Sequence, residues 1–217
     1  MIDYQAARIA MVDGQVRPSD VTQYTIIDAM LSVPREVYVP DEMRPLAYVA
    51  QHINLDDGGV VLAPRTLAKM LESLDIKPDE LVLDIGVGLG YSAAVIARLA
   101  EAVIAVEENT AQAAIAEVTL SEQSADNAVV HVGPLVDGAA EHGPYDAIVV
   151  EGGVQVLPDS LTSQLKVGGR IAAIFVDGPN GQCRIGVRTS AGISWDAVFD
   201  ATAPVLPGFA AEKTFSF

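Results

Sequence analysis

The 217-residue chain predicts an α/β protein, a doubly wound and mostly parallel sheet carrying helices. Three observations predict it. The apolar run Leu81-Val82-Leu83-Asp84-Ile85 leads into glycines at every second position, Gly86, Gly88 and Gly90, and then into the small-residue run Ser92 to Ala97. Strand, tight glycine turn and helix make the nucleotide-binding corner of such a sheet. Apolar runs of strand length recur at 102–106, 128–132 and 145–150, with helical stretches between them. A hydrophobic content of 50% and a mean hydropathy of +0.32 suit central strands covered on both faces.

From the N-terminus, Ile2, Ala6, Ile9 and Ala10 share a helical face, and Gly14 is expected to end that helix. Asp20 with Gln23 resembles a capping box for a second helix bearing Tyr24, Ile27, Met30 and Leu31. Pro34 disfavours helix at Val33, so Val33 to Pro40 reads as extended, with Arg35-Glu36 a solvated charge pair. Ala47 to Pro64 is irregular, with a turn at Asp56-Asp57-Gly58-Gly59. Pro64 opens an amphipathic helix with Leu67, Met70, Leu71 and Leu74 on one side.

Beyond the glycine helix, Ala102 to Val106 is a buried strand ending at Glu107-Glu108. Glu107 lies about 20 residues past the first glycine, where an acidic residue can accept hydrogen bonds from both ribose hydroxyls. A solvent-facing strand end is the alternative, and Glu108 the neighbouring candidate. Asn109 and Gln112 cap a helix to about Leu120. Ala128 to Val132 is the third strand, followed by Gly133-Pro134-Leu135, and Pro144 to Val150 holds the fourth. Pro158 to Leu165 reads as a helix, Gly168-Gly169 as its C-cap before a fifth strand. Ile185–Val187, Ile193–Val198 and Ala210–Phe217 are further strands, two of them a hairpin around Ala191-Gly192. Phe215 and Phe217 read as packing residues.

Composition excludes several classes. The net charge is -16, and Lys and Arg are absent from Leu99 through Leu165, so the surface repels polyanions. No nucleic acid and no anionic membrane is expected as a partner. No apolar run approaches the roughly 20 residues that span a bilayer, and no secretory signal is visible, so a cytoplasmic location is expected. The single Cys183 excludes an intramolecular disulfide. His52 is isolated, and His131 and His142 stand in different contexts. All three read as non-catalytic, and no metal is expected.

The spacing of the glycines separates two cofactor classes. A dinucleotide fingerprint needs glycine where Tyr91 stands, whereas an acidic residue two places before G-x-G-x-G resembles motif I of class I S-adenosylmethionine methyltransferases. The alternative is a tight turn with no ligand. Arg17 to Pro40, ending in Val33-Pro34-Arg35-Glu36-Val37-Tyr38-Val39-Pro40, resembles the N-terminal region of protein-L-isoaspartate O-methyltransferases. Pro144-Tyr145-Asp146-Ala147-Ile148 and Gln164-Leu165 with Gly168-Gly169-Arg170 follow the same family's pattern.

The resemblance runs from about Arg8 to the last strand. It implies a Rossmann-like class I methyltransferase: a seven-stranded, mostly parallel sheet with helices on both faces and an N-terminal helical extension. One domain spans 1–217, with 1–63 as extension and substrate-side loop and 64–217 as core. It implies S-adenosyl-L-methionine as cofactor, held at Asp84, Gly86, Val87, Gly88, Gly90, Glu107 and Pro134, and a damaged protein or peptide as substrate. Three departures stand out. Leu62 occupies the position of the family's active-site serine and Val60 that of a threonine, which puts the catalytic hydroxyls in question. Leu89 replaces a hydroxyl in the glycine loop. Pro134 stands where the family places a carboxylate near adenine. Three readings follow: methyl transfer to an isoaspartyl carboxylate, methyl transfer to a different small-molecule acceptor, or a non-catalytic relative that binds cofactor or partner.

Overall fold

The computed structural model describes residues 2–211, apart from the side chain of Asp57. Helix α1, Tyr4–Met11, is capped by Asp3, whose carboxylate accepts the Ala6 N–H. Gly14 does not end it. The chain continues through a wide π-helical turn, Val12–Val16, and a 3-10 turn, Arg17–Ser19, which keeps both Val12 and Val16 buried.

Helix α2, Tyr24–Ser32, is not started by a capping box. Asp20 adopts a left-handed conformation, and Gln23 makes no side-chain cap. A distant carboxylate does the work: Glu72 accepts from the Thr22 and Gln23 N–H groups at 3.2 and 3.1 Å and from the Thr22 hydroxyl at 2.8 Å. Glu72→Ala is therefore expected to cost about 1 kcal/mol, lowering the melting temperature by roughly 2–4 °C in a chain of this length. Thermal unfolding checks it, and an unchanged midpoint would leave the helix end capped by something else.

Val33 to Pro40 contains a 3-10 turn at Arg35–Val37 rather than being extended throughout. A second 3-10 segment, Asp41–Leu46, leads to a two-residue hairpin, β1 (Ile53–Asn54) with β2 (Val60–Val61). Helix α3, Pro64–Leu74, buries the expected stripe of Leu67, Met70, Leu71 and Leu74.

The core then alternates: β3 (Leu81–Ile85), α4 (Tyr91–Ile96), β4 (Ala102–Glu107), α5 (Thr110–Glu122), β5 (Ala128–Val132), β6 (Tyr145–Val154), α6 (Asp159–Thr162), β7 (Leu165–Asp177), β8 (Asn180–Thr189) and β9 (Gly192–Asp200). The seven-stranded sheet has the order β5-β4-β3-β6-β7-β8-β9. Its first five strands are parallel, and β8 and β9 return antiparallel. The order reverses direction between β3 and β6, which opens a crevice at their carboxyl ends.

Gly168 is not a C-cap. It lies inside β7 at φ +87°, beside the register shift between Tyr145 and Ala147, while α6 has already ended at Thr162. The backbone is irregular there and glycine supplies the left-handed residue. Ala210 and Ala211 are not in a strand, and the rest of the expected tail strand, with Phe215 and Phe217, lies outside the described residues. The sheet reaches seven strands without it.

Candidate active site

The site begins where β3 ends. Gly86, Gly88 and Gly90 have φ of +78°, +55° and +95°, conformations that L side chains rarely adopt. The turn is pinned to β4, since the Gly86 and Val87 N–H groups both donate to the Val106 carbonyl. Gly90 then stands as N-cap of α4.

Glu107 ends β4 and is almost wholly buried. One of its oxygens accepts the Gly88 N–H at 2.8 Å and the other the Asn109 N–H at 2.9 Å. Burial pushes this carboxyl above the ordinary range, and those two N–H donors pull it back. A carboxylate has about four lone-pair sites, and the Glu108 N–H also bears on this one, so acceptor capacity remains for a ribose hydroxyl. Asn109 caps α5 as expected, accepting from the Ala111 and Gln112 N–H groups.

Gly86 and Glu107 border a cleft of ≈ 400 Å³, together with Glu108, Asn109, Gln112, Leu135, Leu206 and Pro207. Its polar side is thus the β4–α5 junction, and its apolar side is Leu135 with the C-terminal segment. Asp84, Val87, Gly88, Gly90 and Pro134 do not border it. A Cβ on Gly88 would stand 2.3 Å from Leu55 Cδ1, and one on Gly152 would stand 2.5 Å from Leu206 Cγ. Two leucines therefore lie directly against glycine backbone beside the cleft. Leu206 is held by a short parallel bridge, in which the Gly153 N–H donates to Pro204 O and the Leu206 N–H to Gly153 O.

Asp84 lies beneath the glycine turn with no exposure, and neither of its oxygens has a hydrogen-bond partner. Burial pushes its carboxyl up to about 7. Asp84 pairs with Val149, so Glu151, two residues further along β6, shares its face of the sheet. Glu151 is also buried and is pushed well above the carboxylate range by burial and by the Asp84 charge. A raised acid favours the neutral form in the fold, so its stabilising contribution is complete at low pH and lost as pH rises towards 7. Asp84→Asn should therefore gain on the wild type in melting temperature between pH 5 and pH 8. A gap that fails to widen would mean that Asp84 is ionised at no cost.

Arg35 corrects the sequence reading most sharply. It is not solvated: its side chain is fully buried, donating from Nε to the Ala47 carbonyl at 2.7 Å and from Nη2 to the Leu62 carbonyl at 2.8 Å. Its guanidinium lies 4.6 Å from the centre of the Tyr91 ring. Glu36 turns inward too, accepting from Arg8 and from the Tyr48 hydroxyl. Arg35 thus connects the N-terminal segment, the first residue of α4 and the peptide where the sequence places the missing serine.

Val60, Val61 and Leu62 are buried and apolar. Next to them, the Ala63 N–H donates to His52 Nδ1, so the proton sits on Nε2, which faces the Thr202 carbonyl at 2.9 Å. His52 is a hydrogen-bonded structural histidine, as expected, and burial lowers its basicity. It borders a second groove of ≈ 480 Å³, of mixed lining, with Gln15, Ser19, Gln51, Arg65 and Asp200. His131 and His142 do not stand apart: their ring centres are 5.7 Å from one another, with Glu141 between them. Among the described residues no helix is long and apolar enough to cross a membrane.

Residues 9–186 match the family model described as protein-L-isoaspartate(D-aspartate) O-methyltransferase. A protein-L-isoaspartate O-methyltransferase of Roseiflexus castenholzii is 35% identical over 187 residues, covering 86% of this chain and 85% of its own. One from Geotalea uraniireducens is 40% identical over 164 residues, covering 76% and 75%. Among solved structures, a protein-L-isoaspartate O-methyltransferase superposes with a TM-score of 0.79 at 23% identity, covering 94% of this chain and 66% of that one. A Plasmodium falciparum protein assigned to the same family, solved with S-adenosyl-L-homocysteine, gives 0.77 at 18% identity, covering 95% and 99%.

Proposed function

Because the chain belongs to the protein-L-isoaspartate(D-aspartate) O-methyltransferase family, we propose that the cleft beside Glu107 is its cofactor site. The protein is an S-adenosylmethionine-dependent methyltransferase acting on isoaspartyl residues of damaged proteins. The observation that carries the site is Glu107 itself: an almost buried carboxylate at the end of β4, bordering the cleft with capacity for further hydrogen bonds. The left-handed glycine at Gly86 supports the fit, because it brings bare backbone to the cleft wall.

When bound, S-adenosylmethionine supplies an electrophilic methyl carried on a sulfonium. The isoaspartyl carboxylate is already an anion at neutral pH, so the chain needs no general base to create a nucleophile. Its remaining task is to hold oxygen, carbon and sulfur in line at near-attack distance and to keep water out. Glu107 would anchor the ribose. Asp84, Val87, Gly88 and Gly90 would act as the backbone and base of the turn rather than as lining, and Pro134, after β5, would lead the chain to Leu135 at the cleft. Leu206 and Pro207 would close the apolar side of the cleft.

Val60 and Leu62 are proposed as the substrate-side residues. With no hydroxyl on either, orientation of the carboxylate falls to backbone N–H groups. The mixed groove carrying Arg65 and Gln51 supports a peptide approaching from the Ala63 side. The apolar character of Val60 to Leu62 favours a second reading, a small-molecule acceptor of less polar shape. A net charge of -16 supports neither nucleic acid nor membrane as partner, and a cytoplasmic setting suits the single buried cysteine.

The test is methanol release from an isoaspartyl peptide in the presence of S-adenosylmethionine, beside the same peptide with normal aspartate. Release from the isoaspartyl peptide alone is expected; none from either would move the acceptor elsewhere. Leu62→Ser returns a hydroxyl and is expected to speed turnover per folded molecule, with circular dichroism checking the fold. A folded but no faster variant would remove Leu62 from the site.

A further inference from the structure

The turn before β6 and the last residues of β5 bring together side chains that methyl transfer does not use. His131 sits in β5, an edge strand of the sheet, paired with Val106. Glu141 and His142 sit in the 3-10 turn Ala140–His142. One Glu141 oxygen lies 3.6 Å from His131 Nδ1 and 3.4 Å from His142 Nε2, and one donor atom from each of the three residues falls within 4.8 Å of the others. We propose that His131, Glu141 and His142 form a binding site for a divalent transition-metal ion of the zinc type.

The spacing carries the argument. An ion about 2.0–2.1 Å from each of its ligands in tetrahedral geometry holds them about 3.4 Å apart. Two of the donor separations already have that value within 0.2 Å, and the third closes with a small rotation of the half-buried His131 ring and the exposed His142 ring. Two imidazoles and one carboxylate select zinc, cobalt, nickel or copper over magnesium or calcium, which prefer all-oxygen sites.

The turn that carries two of the ligands is also firmly held. The buried Tyr145 hydroxyl donates to the Ala139 carbonyl at 2.5 Å, the Ala139 N–H donates to Gln164 Oε1 at 3.1 Å, and the His142 N–H donates back to Ala139 O at 3.1 Å. A site on rigid backbone loses little entropy when it binds. Three protein ligands leave a coordination position open. An ion there would join the end of the outermost strand to the start of β6.

The experiment is calorimetric titration of the chelator-treated, full-length protein with zinc chloride, and separately with magnesium chloride. One zinc per chain with a dissociation constant in the micromolar range is expected, with no magnesium heat. The double variant Glu141→Gln/His142→Ala should weaken zinc binding at least tenfold and lose the zinc-dependent rise in melting temperature. Both side chains are substantially exposed, 68% and 41%, so the variant is expected to fold, and its circular dichroism confirms that. Zinc binding that survives the double variant, equal heats from magnesium, or no zinc heat at all would each overturn the site.

Discussion

Arg35→Met is expected to destabilise the protein by about 3–5 kcal/mol, the cost of removing one partner from a buried charged network. Two buried carbonyls, Ala47 and Leu62, would lose their donor, and Tyr91 would lose the cation against its ring. Glu151 would lose the positive charge that moderates it, since Arg35 lowers Glu151 against the burial that raises it. In a chain of this length the loss corresponds to a melting temperature lower by roughly 6–20 °C. Arg35→Lys should recover only part of it, because an ammonium lacks the planar fork that reaches two carbonyls from one side chain. A variant within 1 °C of the wild type would show that the guanidinium is dispensable and that water replaces it.

The second large effect falls on cofactor affinity. Glu107→Gln keeps shape but turns one acceptor into a donor, which must then face either the Gly88 or the Asn109 N–H. The ribose would also lose a charged acceptor, and hydrogen bonds to charged groups are worth about 1.5–3 kcal/mol. At least a tenfold weaker affinity for S-adenosylhomocysteine is expected for Glu107→Gln, and about a hundredfold for Glu107→Ala. Glu108→Gln should stay within twofold. Calorimetry with the three variants separates the two glutamates. Equal losses at both would point to general charge rather than to a ribose anchor.

The parts of this molecule that sequence reading reached are those with a local signature. A turn needing left-handed backbone at 86, 88 and 90 admits little but glycine, so it announces itself. The stripe on α3 and the Asn109 cap are equally local. Arg35 carries no such mark. Its acceptors lie 12 and 27 residues away, and an arginine beside a glutamate reads as surface wherever it stands. Glu72 capping a helix fifty residues earlier in the chain is hidden for the same reason, as is the meeting of His131 with His142. Leu206 is hidden too, because nothing near it in the sequence says that a tail folds back onto β6. One clue to Glu151 was present: an acidic residue inside an apolar strand of a parallel sheet needs a partner or a raised pKa.

Because Arg35 joins Ala47, Leu62 and Tyr91, the front of the chain cannot be treated as a detachable module. A chimera that grafts the first sixty residues of a relative onto this sheet would have to keep all three contacts together, or leave a guanidinium stranded among apolar groups. Such a chain should melt as one cooperative unit, with calorimetric and van't Hoff enthalpies in agreement.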